Sequence, residues 1–302
     1  MPDAPDEGRD ITIIICTRNR AASLLRALSS VAAAAQSHGG AVDLLIVDNG
    51  STDDTRAVIA EWAATAPLPV QVIDQPRRGL AAARNAGIVA ATGRLLAFTD
   101  DDCALAASYI DDLLCRYRGD TSPVIRGGRV ELGDPEDMPY TIKVSDQPGR
   151  MTADTHPGLL ILGCNMVIPR AVTQTIGCFD ERFGAGARFH ASEETDYIYR
   201  AYRAGIAVEY VPDMVVRHFH GRRTYEDIAK LSAAYFVGNG ALYAKHFRNA
   251  AFVHHLWSHA RMAVNELFGG RSLDARLGLT YRRLTIYTLL GMARYWFGSS
   301  RR

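Results

Sequence analysis

The chain of 302 residues is long enough for one large α/β domain with an added region, or for two small domains. Its apolar share of 48% and charged share of 22% are ordinary for a folded globular protein. Residues 1–10 are polar and acidic, and no run of eighteen uncharged apolar residues occurs, so we expect neither a secretory signal nor a membrane-spanning helix. The five cysteines include no CxxC pair, which predicts reduced thiols in a cytoplasmic protein.

The net charge of +1 conceals an uneven distribution along the chain. From Arg217 to the end, 14 Lys and Arg stand against 4 Asp and Glu, which gives a net charge of +10. The preceding part contains the other 20 basic and 29 acidic residues, which gives −9. We therefore expect the acidic part to hold cations and the basic part to meet an anionic partner.

The first hundred residues alternate between apolar strands and stretches with helical spacing, and Gly39-Gly40 is predicted to end the first helix. Four such units in succession indicate a mostly parallel sheet with helices on both faces, a Rossmann-like α/β fold. Ligands of such sheets lie beyond the carboxyl ends of the strands, where three polar loops are predicted. The predicted strands are 11–16, 42–47, 70–74 and 95–98, and the polar loops are 17–20, 48–53 and 100–102.

Three carboxylates, Asp100, Asp101 and Asp102, follow directly on the fourth predicted strand. Carboxylates this close repel one another unless a cation lies among them, so the sequence predicts a bound Mg²⁺ or Mn²⁺. The ligand that such ions usually bring to this edge is a phosphate. The alternative is that the three residues cap a helix beginning near Ala104, because Asp is favoured at the N-cap and in the first turn. Three in a row favour the metal.

The middle of the chain combines further strands with a polar loop. Residues 134–158 are rich in Pro, Gly and charge, which predicts a loop that faces an acceptor or partner. The predicted strands are 124–130, 159–169, 206–211 and a short extended piece at 214–218.

A helix with an acidic first turn is predicted after Ser192, which serves as its N-cap. The first turn holds three carboxylates: Glu193, Glu194 and Asp196. One of them can act as a general base while another supports the loop, and helix capping is the alternative for all three. His218 ends a predicted strand and would complete a metal site with Asp102, and His220 is the competing choice.

From Thr224 the chain is predicted to be helical, with breaks near Arg248 and at Gly269-Gly270. Large aromatic residues alternate with arginines there, which is typical of helices that lie on an anionic bilayer surface. The alternative is a helical region packed on the sheet domain with a solvated basic face. No nucleic-acid motif accompanies the charge, so no nucleic acid is predicted as a partner.

The loop side chains also suit a nucleotide. Asp48 and Thr17 lie on neighbouring loops, where they can hydrogen-bond a base and a ribose. Arg78 and Arg84 can meet phosphate oxygens. A metal ion on Asp102, with Asp100, would then offset the charge of a departing diphosphate.

Five motifs resemble those of family 2 glycosyltransferases with the GT-A fold, and they follow the family's order between residues 11 and 220. They are 13–20, 46–53, 83–87, 98–102 and 193–196, the last followed by His218. The resemblance implies an inverting transferase, most simply a hexosyltransferase, that uses a nucleotide sugar, commonly a UDP-sugar, with Mg²⁺ or Mn²⁺. Its acceptor would be a hydroxyl of a glycan, a lipid-linked molecule or a small molecule.

By position, Asp48 resembles the base-binding Asp of the family, and Asp100 and Asp102 resemble its DxD motif. Glu194 occupies the place of the general base, where the family usually has Asp. The other residues predicted to bind the donor are Thr17, Arg18, Asn19 and Asp101. Arg18 stands where an aromatic residue is frequent, which leaves the uridine preference open.

The resemblance divides the chain into a GT-A nucleotide-sugar-binding and catalytic domain at 1–221 and a helical, basic and aromatic region at 222–302. Glu194 would accept the proton of the acceptor hydroxyl while the diphosphate leaves from the opposite face, which inverts the anomeric carbon. A sugar-phosphate nucleotidyltransferase would have a glycine-rich loop after the first strand, and residues 17–22 contain no glycine. A non-catalytic sugar-nucleotide or glycan-binding module would not need Glu194. The basic region predicts peripheral attachment to the inner face of a membrane.

Overall fold

The computed structural model of the protein describes residues 10–36 and 42–298. Within them the strands are β1 (Ile11–Thr17), β2 (Val42–Asp48), β3 (Val70–Asp74), β4 (Leu95–Asp100), β5 (Cys103–Leu105), β6 (Val124–Leu132), β7 (Gly149–Arg150), β8 (Asn165–Pro169) and β9 (Ala207–His218). They form one sheet in the order β3-β2-β1-β4-β8-β6-β9-β5, and β7 pairs with β9. The predicted α/β fold with a mostly parallel sheet is confirmed.

Helices cover both faces of this sheet and form the C-terminal part of the chain. The helices are α1 (Leu24–Gln36), α2 (Thr55–Ala63), α3 (Leu80–Ala90), α4 (Tyr109–Tyr117), α5 (Pro157–Leu160), α6 (Arg170–Ile176), α7 (Glu193–Arg203), α8 (Tyr225–Lys245), α9 (Ala250–Leu267) and α10 (Tyr281–Phe297). A short 3₁₀ helix spans Ala275–Leu277. The predicted helix end at Gly39-Gly40 lies outside the described residues.

The parallel part of the sheet explains the continuous apolar runs of the sequence. Ile13 and Ile15 of β1 join the core on one face, and Ile14 joins the core on the other. A strand buried on both faces has no polar side for water, so its sequence does not alternate. β1 pairs in parallel with β2 and β4, with Thr17 opposite Asp48 and Cys16 opposite Asp100. The polar loops after these strands therefore lie at one edge of the sheet.

A bulge in β9 corrects one prediction. The pieces expected at 206–211 and 214–218 form the single strand Ala207–His218. Its register with β6 shifts between Gly128 and Arg129, which pair with Val211 and Val215, so Pro212 lies within the bulge. Proline is tolerated inside a sheet at such a point because it donates no ladder hydrogen bond. A Cβ on Gly128 would overlap the backbone of Met214, which explains the glycine there.

Two other elements differ from the sequence expectation. The helix expected near Ala104 begins at Tyr109, because Cys103–Leu105 forms β5 and pairs with β9. Residues 100–102 therefore do not cap a helix, and that alternative is wrong. The strand expected over 159–169 is shorter, because Pro157 opens the one-turn helix α5 and β8 begins only at Asn165.

The C-terminal helices pack against one another and against the sheet domain. Thr224 and Asp227 form a capping box that begins α8. A Cβ on Gly240 would overlap Thr288 of α10, so glycine permits the close approach of α8 and α10. Arg188 of the sheet domain donates a hydrogen bond of 2.7 Å to the carbonyl of Arg294 in α10. Within 10–36 and 42–298, no helix is long and apolar enough to cross a membrane.

Candidate functional site

Acidic side chains converge at the carboxyl edge of the sheet, where β4 ends. Asp100, Asp101 and Asp102 lie there, and Arg20 reaches them from the loop after β1. The Arg20 guanidinium lies 3.4 Å from an Asp101 oxygen and 3.8 Å from an Asp102 oxygen. Burial raises the pKa of Asp101 to about 7, and burial also raises the pKa of Asp100. Negative charge is costly at this edge, which is where a cation would stabilise it most.

Asp102 and His218 form the best-defined contact of this edge. Their Oδ1 and Nε2 atoms lie 3.3 Å apart, and the antiparallel pairing of Cys103 with His218 brings them together. Burial opposes a charged imidazole, but the hydrogen bond that His218 donates to Asp102 prevails and raises the pKa of His218 to about 9. Burial also opposes a charged Asp102, yet His218 and Arg20 keep the pKa of that carboxyl below its ordinary value.

A divalent ion fits the donor atoms found here. One ligand atom each from Asp102, Cys103 and His218 lies within 4.8 Å of the other two. His220 belongs to another network, because its Nε2 lies 3.1 Å from the carbonyl of Met138 and its Nδ1 accepts a hydrogen bond from Arg222 N at 3.0 Å. Of the two histidines, His218 is therefore the one that faces the aspartates.

A buried ion pair connects the aspartates to helix α7. Arg84 Nη1 lies 2.9 Å from Glu193 Oε1, and Nη2 lies 3.4 Å from Asp100 Oδ1 and 3.2 Å from the carbonyl of Gly163. Burial, and then the neighbouring Glu194, raise the pKa of Glu193, while Arg84 opposes that change. The guanidinium of Arg84, for which phosphate contacts are predicted from the sequence, contacts two carboxylates and a carbonyl.

Glu194 is the carboxylate of the first turn of α7 that remains partly exposed. It accepts a hydrogen bond of 3.1 Å from Thr195 Oγ1. A Cβ placed on Gly163 would lie 3.3 Å from Glu194 Cγ and 3.0 Å from Arg84 Nη2, so this glycine leaves room for both side chains. Of the two adjacent glutamates, Glu193 is therefore engaged with Arg84 and Glu194 is accessible.

Ser192 precedes α7 in an unusual backbone conformation. Its φ is 75°, its side chain makes no cap hydrogen bond, and its Oγ donates to Asn239 of α8 at 2.8 Å. The predicted side-chain cap is therefore absent. Among the described residues, the other non-glycine residues with positive φ are Asn19 and Thr141, and Thr141 Oγ1 lies 3.4 Å from His218 Nδ1. Strained backbone of this kind is frequent around functional sites.

Asp196 points away from the aspartates, toward the end of α8. Its carboxylate lies 2.7 Å from Lys245 Nζ, 2.8 Å from His246 Nε2 and 2.9 Å from Arg200 Nε. Burial disfavours the charged form, but the hydrogen bond from His246 and the charge of Lys245 keep the pKa of Asp196 below its ordinary value. This carboxylate therefore connects α7 to the C-terminal helices.

The remaining predicted donor-binding residues lie at the ends of β1 and β2 and in the loops after β1 and β3. Asp48 is buried, where it accepts hydrogen bonds from Arg56 Nε and from the backbone of Ser51. Asn19 accepts a hydrogen bond of 2.8 Å from the backbone of Thr52, which joins the first two loops. The remaining members differ in exposure, from buried Thr17 through half-buried Arg18 to exposed Arg78.

Sequence reasoning missed several residues that shape these loops. Asn49 donates to the carbonyls of Gln75 and Arg77 at 2.8 and 2.7 Å and accepts from Gly79 N at 2.9 Å. It thereby ties the loop after β2 to the start of α3. Asn85 likewise binds the backbone of Phe179 in both directions. A buried Asn with three partners signals such a role, but its partners lie too far away in sequence to be identified.

The sequence is similar to those of known glycosyltransferases. The sequence profile described as Glycosyl transferase family 2 matches residues 12–177. The pre-mycofactocin glycosyltransferase of Mycobacterium tuberculosis is 26% identical over 247 residues, which cover 80% of this chain and 48% of that protein. This chain thus spans about half the length of that relative. Glycosyltransferase AglE of Haloferax volcanii is 23% identical, over 77% of this chain and 73% of its own.

Among solved structures, the mannosyltransferase PcManGT from Pyrobaculum calidifontis, in complex with GDP-Man and Mn²⁺, has a TM-score of 0.64 and 18% identity. The match covers 98% of this chain and 89% of that one. This likeness shows a shared fold, GT-A. Because the profile match covers more than half of the chain, the protein belongs to glycosyl transferase family 2.

Proposed function

We propose that the protein is a metal-dependent, inverting hexosyltransferase that moves a sugar from a nucleoside diphosphate sugar to an acceptor hydroxyl. One observation carries the proposal: Arg84 lies within hydrogen-bond distance of both Asp100 and Glu193. The aspartates after β4 and the acidic turn of α7 are thereby held side by side. The neighbour in complex with GDP-Man supports a nucleotide-sugar donor, and we propose a UDP-sugar as the first donor to test.

Asp102 and His218 would hold the divalent ion. The ion would offset the negative charge that develops on the departing diphosphate. Mg²⁺ takes oxygen ligands almost exclusively, so an imidazole in the donor set favours Mn²⁺ of the two ions. The donor would lie along the loops after β1 and β2, with Asp48 and Thr17 near the base and ribose. The other proposed donor ligands are Arg18, Asn19, Arg78, Arg84, Asp100 and Asp101.

Glu194 would act as the general base, because it is the accessible carboxylate of the α7 turn. It would accept the proton of the acceptor hydroxyl as that oxygen attacks the anomeric carbon. The diphosphate leaves from the opposite face, so the configuration inverts. Glu193 would act as a positioning residue, since its ion pair with Arg84 fixes the start of α7.

The test is release of nucleoside diphosphate across a panel of UDP- and GDP-sugars, with Mn²⁺, with Mg²⁺ and with EDTA. We expect release with at least one donor, dependent on the ion and on Glu194. A non-catalytic sugar-nucleotide-binding module would bind a donor yet release no diphosphate with any acceptor, and that result would overturn the proposal. A nucleotidyltransferase would release pyrophosphate from a nucleoside triphosphate instead.

We further propose that the C-terminal region attaches the protein to the inner, cytoplasmic face of a membrane. Large apolar side chains of this region are exposed, among them Trp257 at 60% and Phe268 at 86%, and Arg261 lies over the Trp257 ring at 5.4 Å. Exposed aromatics beside arginines suit the interface of an anionic bilayer. The check is sedimentation with anionic vesicles at low salt, and a protein that stays in the supernatant would contradict attachment.

A further inference from the structure

A basic cleft lies at the end of α7, away from the aspartates after β4. Its volume is about 380 Å³, and it opens between α7 and the connection from α8 to α9. The lining residues that matter here are Tyr199, Arg200, Arg203, Lys245, Phe247 and Arg248. The cleft contains four Lys and Arg side chains, whereas none of its lining residues is acidic.

The basic side chains at the floor of the cleft, Lys245 and Arg200, are paired with carboxylates that lie outside the cleft lining. Lys245 Nζ lies 2.7 Å from Asp196 and 2.8 Å from Asp180. Arg200 binds Asp196 at 2.9 Å and donates to the carbonyls of Ile176 and Cys178, both at 2.7 Å. These contacts fix the floor in place without leaving a carboxylate in the opening.

The rim has positive charge that the protein does not balance. Within 10–36 and 42–298, neither Arg203 nor Arg248 has a carboxylate at ion-pair distance, and both are exposed. Arg248 lies over the ring of Phe247 at 5.6 Å, which orients its guanidinium beside the opening. Two exposed arginines whose planar donors have no carboxylate partner, above a floor whose own charges are paired, suit the charge and the hydrogen-bond acceptors of a phosphate group.

The rim also has an apolar side. Phe247 is 53% exposed and Trp296 is 49% exposed, and their rings lie 6.4 Å apart. A single inorganic ion would leave most of the 380 Å³ to water, whereas a phosphate ester brings an organic substituent that can contact the Phe247 ring, which lines the cleft. The chemistry of the cleft therefore favours an esterified phosphate over a small free anion.

We propose that this cleft binds the phosphate group of a phosphate ester, with Arg203 and Arg248 as its direct ligands. The ester is a phospholipid headgroup or a soluble phosphate ester, and both present the same group to the arginines. Arg203 follows Glu194 by nine positions in α7, a rise of about 13 Å along one helix. The inference is independent of the transferase reaction, because neither arginine is among the proposed donor ligands or catalytic groups.

The test compares two double variants that remove the same charge. R203S/R248S removes both rim arginines, and R94S/R118S removes two exposed arginines that lie outside the C-terminal region. Binding of glycerol 3-phosphate is measured by titration calorimetry, and binding to phosphatidic acid vesicles by flotation, with phosphatidylcholine vesicles as the reference. Thermal melting of each variant checks that the fold is kept.

We expect R203S/R248S to weaken binding of at least one probe by roughly tenfold or more, since each lost charged hydrogen bond contributes strongly to affinity. We expect R94S/R118S to change binding by less than about twofold, because both arginines lie away from the cleft and from the C-terminal region. If R203S/R248S weakens binding to the vesicles alone, the ligand is a lipid headgroup. If R203S/R248S weakens binding of glycerol 3-phosphate, the ligand is a soluble ester. Equal weakening of probe binding in both double variants would show that binding depends on overall positive charge and not on this cleft, and would overturn the proposal. So would unchanged binding in R203S/R248S, or no binding of either probe by the unmodified protein. Nucleotide binding with Mn²⁺, which should be unaffected by either double variant, separates failure here from failure of the transferase proposal.

Discussion

The guanidinium of Arg84 and the carboxylate of Glu193 form an ion pair of 2.9 Å in which the two side chains are only 3% and 6% exposed. The pair joins α3 to the first turn of α7, which lies 109 residues later in the chain. A charge buried this deeply is tolerated only when it is paired, so each partner requires the other. The start of α7 is thereby fixed relative to the aspartates after β4.

Replacing Arg84 with Lys should show whether the geometry of the guanidinium matters beyond its positive charge. Lys keeps the positive charge but cannot reach Glu193, Asp100 and the Gly163 carbonyl at once, because it lacks the planar fork. We expect a loss of about 3 kcal/mol in the free energy of unfolding, measured with urea, and a fall in kcat. The control is Arg77→Lys, whose exposed pair with Glu181 should change stability by less than about 1 kcal/mol. Equal losses in the two variants would contradict a special role for the buried pair.

Replacing Glu194 with Gln should remove catalysis while leaving the donor bound. The amide has the same shape but cannot accept the hydroxyl proton, so we expect kcat to fall roughly 10²- to 10⁴-fold. Nucleotide affinity, measured by calorimetry, should change less than about threefold. Glu193→Gln is the comparison, because it breaks the buried pair and should lower stability as well. If Glu194→Gln retained full turnover while Glu193→Gln lost it at unchanged stability, the assignment of the base would be reversed.

Asp102 and His218 should govern the response to Mn²⁺. EDTA should abolish transfer and added Mn²⁺ should restore it. Asp102→Asn and His218→Gln should each raise the Mn²⁺ concentration for half-maximal activity by at least about tenfold, because each removes a ligand. His220→Gln should leave that concentration unchanged, since His220 binds Met138 and Arg222 instead. An identical Mn²⁺ response in all three variants would show that Asp102 and His218 are not ligands of the ion.

The ion pairs of Asp196 should make stability depend on acidity. The pKa of Asp196 is lowered in the folded protein, so its stabilising contribution is complete above the ordinary carboxyl pKa of about 4 and is lost as the pH falls through the lower folded value. We expect Asp196→Asn to cost about 3–5 kcal/mol at neutral pH, and the difference from the unmodified protein to shrink below about pH 4.

Urea unfolding at several pH values measures this dependence. Asp213→Asn is the control, because its pair with Arg116 is exposed and should contribute less than about 1 kcal/mol at any pH. A difference for Asp196→Asn that stays constant down to strong acid would show that the carboxylate is not charged in the folded protein.

The parallel half of the fold could be predicted because its signals are local. Strands buried on both faces appear as apolar runs, and short polar residues follow them where each strand ends. β9 could not be predicted as one strand, because Pro212 reads as a break and only the partner strand β6 shows that it lies in a bulge. β5 could not be predicted for a similar reason, because its three residues form a strand only by pairing with His218 and its neighbours.

The sequence predicted which residues belong to the candidate site, but it did not predict which side chains contact one another. Glu193 and Glu194 are adjacent and chemically alike, so only the position of Arg84 distinguishes the engaged carboxylate from the accessible one. His218 and His220 present the same problem, and Asp102 distinguishes them. Asp196 looked like a third member of the acidic turn, but apart from Arg200 on the same helix its partners are Lys245 and His246, about fifty residues later.

The attachment of Asp196 to Lys245 and His246 has a consequence for chimaeric enzymes. Exchanging the C-terminal helices with those of a homologue, in order to change the acceptor, would leave the buried Asp196 carboxylate with Arg200 as its remaining partner unless the new sequence supplies two basic residues at the matching positions. Grafts made at residue 222 should therefore be chosen for those two positions first, because a mismatch there would tilt the helix that carries Glu194 before any acceptor is encountered.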